Sequence, residues 1–180
     1  MIAILVAAQE DDKDFLSELA HILGRHFITA PAHGQKPMAA GPRPELALCD
    51  LKSFRATQAD KVIVVYKSPQ PIAANLEAAC SAVAIVDSSD EGLLQHVSDT
   101  KLPAITCGLR SRDTITLSSM DTDSAVIDLR RSISCLSGSS VEPAEFPLRF
   151  ETPLDSFLLM AVAAILILSG KMESLKEGFI

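Results

Sequence analysis

The chain has no tryptophan, one tyrosine and seven phenylalanines, so its 48% apolar content rests on Ala, Val, Ile and Leu. That balance favours buried sheets over aromatic platforms. It also lacks an excess of basic charge: 16 Lys and Arg stand against 23 Asp and Glu, a formal net charge of −7, and the basic residues are scattered along the sequence. Without a basic stripe to neutralise phosphates, nucleic acid is excluded as a partner. Without Lys and Arg on one amphipathic face, so is attachment to anionic lipid.

Long apolar runs are missing too. The longest candidate, FLLMAVAAILIL over 157–168, has twelve residues, whereas a spanning helix needs about 20. A buried core helix is expected there, and no membrane segment. MIAILVAA at the start carries neither a charged leader nor a cleavage pattern and runs into QEDDKD, which reads as a strand. The cysteines stand at 49, 80, 107 and 135, a spacing that fits neither zinc-ligand pairs nor a secreted disulfide framework. They read as small core residues of a reducing cytoplasm, and no metal is expected. His21, His26 and His33 do not share the i, i+4 spacing of a helical metal face and read as surface residues.

Glycine loops for nucleotides are absent. A phosphate loop requires G-x-x-x-x-G-K-[ST], in which main-chain N–H groups surround the phosphates and Lys meets their charge. The one Gly-Lys pair, Gly170-Lys171, has Ile165 where the first Gly belongs and is followed by Met172. Strand one is followed by AAQEDD, with no dinucleotide fingerprint. No cofactor is expected.

What is present is an alternation of short apolar runs with helical patterns, the mark of a mostly parallel sheet flanked by helices in a Rossmann-like, three-layer α/β fold. Strands are expected at 2–8, 26–30, 45–51, 61–67, 83–87 and 104–108. Helices are expected after Asp11 and Asp12 to near Gly24, over 71–80, and over 90–99 with Ser89 or Asp90 as cap. Residues 31–44 hold four Pro and two Gly and read as a loop. From Gly108 the pattern turns to closely spaced, alternating β segments, the form of antiparallel hairpins, closed by the helix at 157–168 and stopped by Gly170. A single α/β domain over 1–180 is expected, with a parallel part (1–108) and a part made of hairpins and a final buried helix (109–180).

The order strand, carboxylate, helix, strand ending in Gly, hairpins, Ala-rich helix ending in Gly resembles the second half of the central domain of the Mur ligase superfamily, over residues 83–170. The matching positions are Asp87 with Asp90, the helix 91–99, Ile105 to Gly108, Asp113, Ala163 and Ala164, and Gly170. The pattern departs where that family approaches adenine, since its His-Asn and following Asn fall near Leu154, Asp155 and Phe157 or Leu158. The resemblance implies a bacterial cytoplasmic protein that keeps the scaffold without the ATP site. The first hundred residues also resemble a receiver domain of response regulators, in which Asp50 would be the phosphoacceptor with Lys67 or Ser68 nearby. Ala7 and Ala8 stand where receivers carry their magnesium-binding acids; Glu10, Asp11 and Asp12 come later.

Three groups of residues are candidate sites. Asp50, Asp87 and Asp90 end or follow parallel strands, where doubly wound folds bind ligands; they either hold a cation or an amine, or cap the next helix. Gly108, Arg110, Ser111, Arg112 and Asp113 form a possible anion clamp, because Arg offers forked donors to phosphate or carboxylate; the alternative is a solvated loop paired with local acids. Cys107 with His96 would make a thiol and a base; the alternative is a core cysteine before a glycine. Arg130 and Arg131 lie in a hairpin, at least one pointing outward. VEPAEFP (141–147) either presents Phe146 to a partner or forms a turn that buries it.

The expected function is a non-catalytic, Mur-ligase-like binding or assembly module whose partner is a protein or a small anion. A receiver-like signalling domain and a small-anion-binding enzyme using residues 108–113 are the alternatives. A homo-oligomer through a hairpin edge is compatible with the pattern.

Overall fold

The computed structural model describes residues 2–9, 12–30, 45–50, 61–70, 81–178 and 180. The helix expected over 71–80, the loop 31–44, Asp11 and His33 lie outside the described residues. The chain forms β1 (Ile2–Ala7), α1 (Lys13–His26), β2 (Thr29–Ala30), β3 (Leu46–Asp50), β4 (Lys61–Tyr66), β5 (Ser81–Asp87), α2 (Glu91–Asp99) and β6 (Ala104–Cys107). It continues with β7 (Ile115–Met120), β8 (Ser124–Leu129), β9 (Ile133–Ser134), β10 (Ser140–Val141), β11 (Ala144–Arg149), α3 (Ser156–Leu168) and α4 (Met172–Lys176).

Nine of the strands form one sheet in the order β11-β8-β7-β6-β5-β4-β1-β3-β2, and β9 and β10 make a separate ribbon. Pairings from β2 to β7 are parallel, while β7–β8 and β8–β11 are antiparallel. The hairpin-rich part therefore extends the parallel sheet. The fold is the expected α/β, Rossmann-like three-layer arrangement.

The continuous apolar strands are buried on both faces, as parallel strands between helices must be. Ile4, Val6, Ile63, Val65 and Ile85 face one core with α1 and α3. Ala3, Leu5, Ala7, Val62, Val64, Tyr66, Ala84 and Val86 face the other with Leu93 and Val97 of α2. Helix α3 has no polar face: every residue from Phe157 to Leu168 is buried. It reaches about 20 Å, too short for a membrane, and no helix among the described residues is long and apolar enough to cross one. It is covered instead by α1, the ribbon residues Ile133 and Val141, and Leu175 of α4. Each large aliphatic side chain buried there is worth about 1.5–3 kcal/mol.

Two boundaries differ from the sequence expectation. Helix α1 runs through Gly24 to His26, and the second strand is only Thr29–Ala30. Gly24 is exposed with nothing near its Cβ position, so it lowers helix propensity by about 1 kcal/mol without ending the helix. The end is set from far along the chain, because Lys171 Nζ donates to the His26 carbonyl at 3.2 Å. Lys171 also pairs with Glu45 at 3.1 Å and lies 5.1 Å above the Phe27 ring. The Gly-Lys pair that fails as a phosphate loop is a bracket between α1 and β3.

The outer edge of β11 is covered at its end by residues 178 and 180. Arg149 N–H donates to Gly178 O at 2.9 Å and Ile180 N–H to Arg149 O at 3.1 Å. Strand geometry turns the backbone of Pro147, two residues earlier, to the same side, where its missing N–H leaves no ladder bond unmade. Phe146 lies within β11 and is 4% exposed. Of the two readings of VEPAEFP, the one that buries Phe146 holds: Glu142 and Pro143 make the link between β10 and β11, and Phe146 itself lies on the strand that follows.

Candidate functional site: the carboxyl edge of the parallel strands

After β1 the chain adds β3 on one side and β4 on the other. The switch point lies between β1 and β4, where open α/β sheets place ligands. Beyond β6 the edge has a wall. Strand β7 joins the parallel set through one pair, Cys107 with Ile115, so it runs on past the end of β6 and carries β8 and β11 with it.

At the switch point polar groups brace the two strand ends. Lys67 N–H and Ser68 N–H both donate to Ala7 O at 2.9 Å, and Ser68 Oγ to the same oxygen at 3.3 Å. Gln70 Nε2 donates to Ala8 O and reaches Ser68 Oγ at 3.3 Å. His96 Nε2–H donates to Gln70 O at 2.8 Å, which fixes that ring's tautomer. The Lys67 ammonium lies 5.1 and 5.3 Å from the Phe15 and Phe157 rings, which stack at 5.8 Å.

Asp50 ends β3 opposite Val6, whereas Lys67 follows Tyr66 on the other flank of β1. Their backbones are therefore two strand spacings apart, roughly 9–10 Å. The side chain of Asp50 lies outside the described residues. Lys67 and Ser68 are engaged with aromatic rings and with β1.

The acids after β5 close turns. Asp87 Oδ1 accepts from Ser89 N–H at 2.8 Å, and Asp90 Oδ1 accepts from Leu93 N–H at 2.9 Å as the cap of α2. Of the two readings of Asp87 and Asp90, capping is the one their hydrogen bonds carry.

The loop after β6 is organised by Asp113, which is 1% exposed. Its Oδ2 accepts from Ser88 Oγ and from Arg110 N–H, both at 2.8 Å, and its own N–H donates to Arg110 O at 3.0 Å. Ser88 N–H donates to Cys107 O at 2.8 Å. The loops after β5 and β6 are thereby tied into one unit. Gly108 permits it by lack of volume, because a Cβ there would stand 2.1 Å from Ser88 Oγ and 2.7 Å from Asp113 Oδ2. Ser88, beside the candidate caps Ser89 and Asp90, is the partner that the sequence pattern does not single out. Its only signal is a small hydroxyl beside a strand end. Arg110 pairs with Glu91 at 3.5 Å, while Ser111 and Arg112 are exposed.

The imagined thiol–base pair does not form. Cys107 belongs to the core that includes α1 and α3, whereas His96 lies on α2 across the sheet. Burial, with the charges of Asp87 and Asp113, pushes the Cys107 thiol far above its ordinary range, so it is not a thiolate at neutral pH. Cys135 is also buried and free. His26, expected at the surface, has a buried Nε2 without a hydrogen-bond partner among the described residues, and burial lowers its pKa. No cluster of His, Cys, Asp and Glu able to hold a metal occurs among the described residues.

No protein-family model matches the chain, and no curated protein matches its sequence.

Proposed function

We propose that the chain is a non-catalytic binding or assembly module of the bacterial cytoplasm, built on a scaffold similar to the central domain of the Mur ligases. The observation that carries the reading is the engagement of Asp113. The buried carboxylate holds Ser88 Oγ and Arg110 N–H and so serves loop architecture. Asp87 and Asp90 close the neighbouring turn and cap, and Cys107 is held as a thiol. A general base must reach a substrate proton with an open lone pair; Asp113 is buried and spends its Oδ2 on holding two loops together. A rigid, self-satisfied edge suits recognition, because little conformational entropy is lost when something docks on it.

Equilibrium dialysis against ATP, with and without magnesium, tests this. The reading expects no binding that magnesium strengthens. Micromolar binding that requires magnesium, or ADP formed in the retentate, would overturn it, since both need a phosphate-gripping loop and a metal geometry.

A further inference from the structure

Four of the chain's eight arginines stand on two segments that the fold brings side by side. Arg110 and Arg112 stand on the loop after β6, and Arg130 and Arg131 on the turn after β8. The two segments are joined through their main chains: Arg130 N–H donates to Thr114 O at 2.9 Å, and Arg130 Nη1 reaches Arg110 O at 3.4 Å. Ile115 pairs with Leu129 on one side and with Cys107 on the other. Both arginine-bearing segments therefore lie level with the carboxyl end of β6, beside the crevice where this class of sheet takes its ligands.

We propose that these arginines form a binding site for a multiply charged oxyanion, a phosphate or polycarboxylate compound, held without a metal ion. Among the described residues, six carboxylates surround the four arginines, and each is engaged in a hydrogen bond or ion pair of its own. Glu91 pairs with Arg110 at 3.5 Å and Asp128 with Arg130 at 3.0 Å. Exposed pairs of this kind are worth about 0–1 kcal/mol and yield to a better acceptor. Glu142 accepts from Ser132 Oγ at 2.8 Å, and Asp87, Asp90 and Asp113 are committed as described. Arg112 and Arg131 are exposed and have no hydrogen-bond or ion-pair partner among the described residues. These two exposed guanidinium groups stand close in sequence to two that are weakly paired, so their donors are free for an incoming anion. Planar forks of donors match phosphate and carboxylate oxygens two at a time. The backbone that carries them is fixed by Asp113 and by the Arg130–Thr114 bond.

Calorimetric titration of the full chain with tripolyphosphate and, separately, with citrate tests the inference. Saturable binding of one or both is expected, weakened by added salt and, for tripolyphosphate, weakened by magnesium, which neutralises the ligand. Arg112→Ala combined with Arg131→Ala should lower affinity at least roughly tenfold, while Arg149→Ala, on β11, should leave it unchanged. Binding of tripolyphosphate alone would assign the site to phosphates, and of citrate alone to carboxylates. No saturable heat with either anion, an unaltered double variant, or an equal loss in Arg149→Ala would overturn the proposal. It rests on the binding-module reading, and magnesium separates the two failures. Tightening by magnesium counts against that reading, whereas absent heat counts against the arginine cluster alone.

Discussion

Replacing Gly108 by alanine is the sharpest probe of the tie between the loops. The new Cβ would stand 2.1 Å from Ser88 Oγ, 2.7 Å from Asp113 Oδ2 and 3.3 Å from Ser88 Cβ. A serine hydroxyl can rotate away, but doing so abandons the 2.8 Å bond to the buried Asp113. Losing a buried bond to a charged acceptor costs about 1.5–3 kcal/mol, and the residual overpacking against the carboxylate adds about 1–3 kcal/mol. The expected destabilisation is therefore about 2.5–6 kcal/mol, seen as a lower urea midpoint and, at about 2–4 °C per kcal/mol for a chain of this size, a clear fall in Tm. Ser88→Ala alone should cost about 1.5–3 kcal/mol. The double variant should cost less than the sum of the singles, because the same hydrogen bond is lost only once, giving a coupling of about 1.5–3 kcal/mol. Gly108→Ala within about 0.5 kcal/mol of the parent, or a strictly additive cycle, would refute the claim that Gly108 is required for space.

Two further outcomes follow from buried groups. His26 titrates in the unfolded chain near its ordinary value of 6.5 and in the native state lower, chiefly because of burial, with Glu177 opposing and Arg25 and Lys171 assisting. Below about 6.5 the unfolded state binds more protons, so stability is full above that pH and falls as pH drops towards the native value. Urea midpoints should decline between pH 7.5 and 5.5, and His26→Gln should flatten the decline; equal midpoints in the parent would contradict the burial of that ring. Cys107, 0% exposed and held as a thiol, should resist iodoacetamide at pH 7.5 until denaturant is added, as read by mass spectrometry of its peptide. Labelling of native protein within minutes would show that the end of β6 opens.

The parallel part of the fold was legible because its strands are continuous apolar runs and its helices carry apolar residues at helical spacing. Phe15, Leu19, Ile22 and Leu23 line one face of α1 and are all buried. What could not be read were effects that join distant residues. Gly24 looks like a helix stop until Lys171 is known to hold the last turn. Arg130 and Arg131 look like ordinary hairpin charges until β8 is seen to end beside the loop of Arg110 and Arg112. Asp113 stands out in the sequence, but its partner Ser88 does not, because a hydroxyl gives no periodicity and no spacing rule. The turn and capping roles of Asp87 and Asp90, in contrast, follow from local chemistry, since a side chain two or three residues ahead of a free N–H will take it.

The finished margin of β11 bears on how the molecule can associate. An open strand invites another polypeptide to zip on by its main chain, a contact nearly indifferent to sequence and prone to runaway stacking. Here Gly178 and Ile180 occupy that berth beside Arg149, and the ring nitrogen of Pro147 blanks the next position on the same side. At this end of the flank little main chain is left to offer, and what docks there meets side chains first.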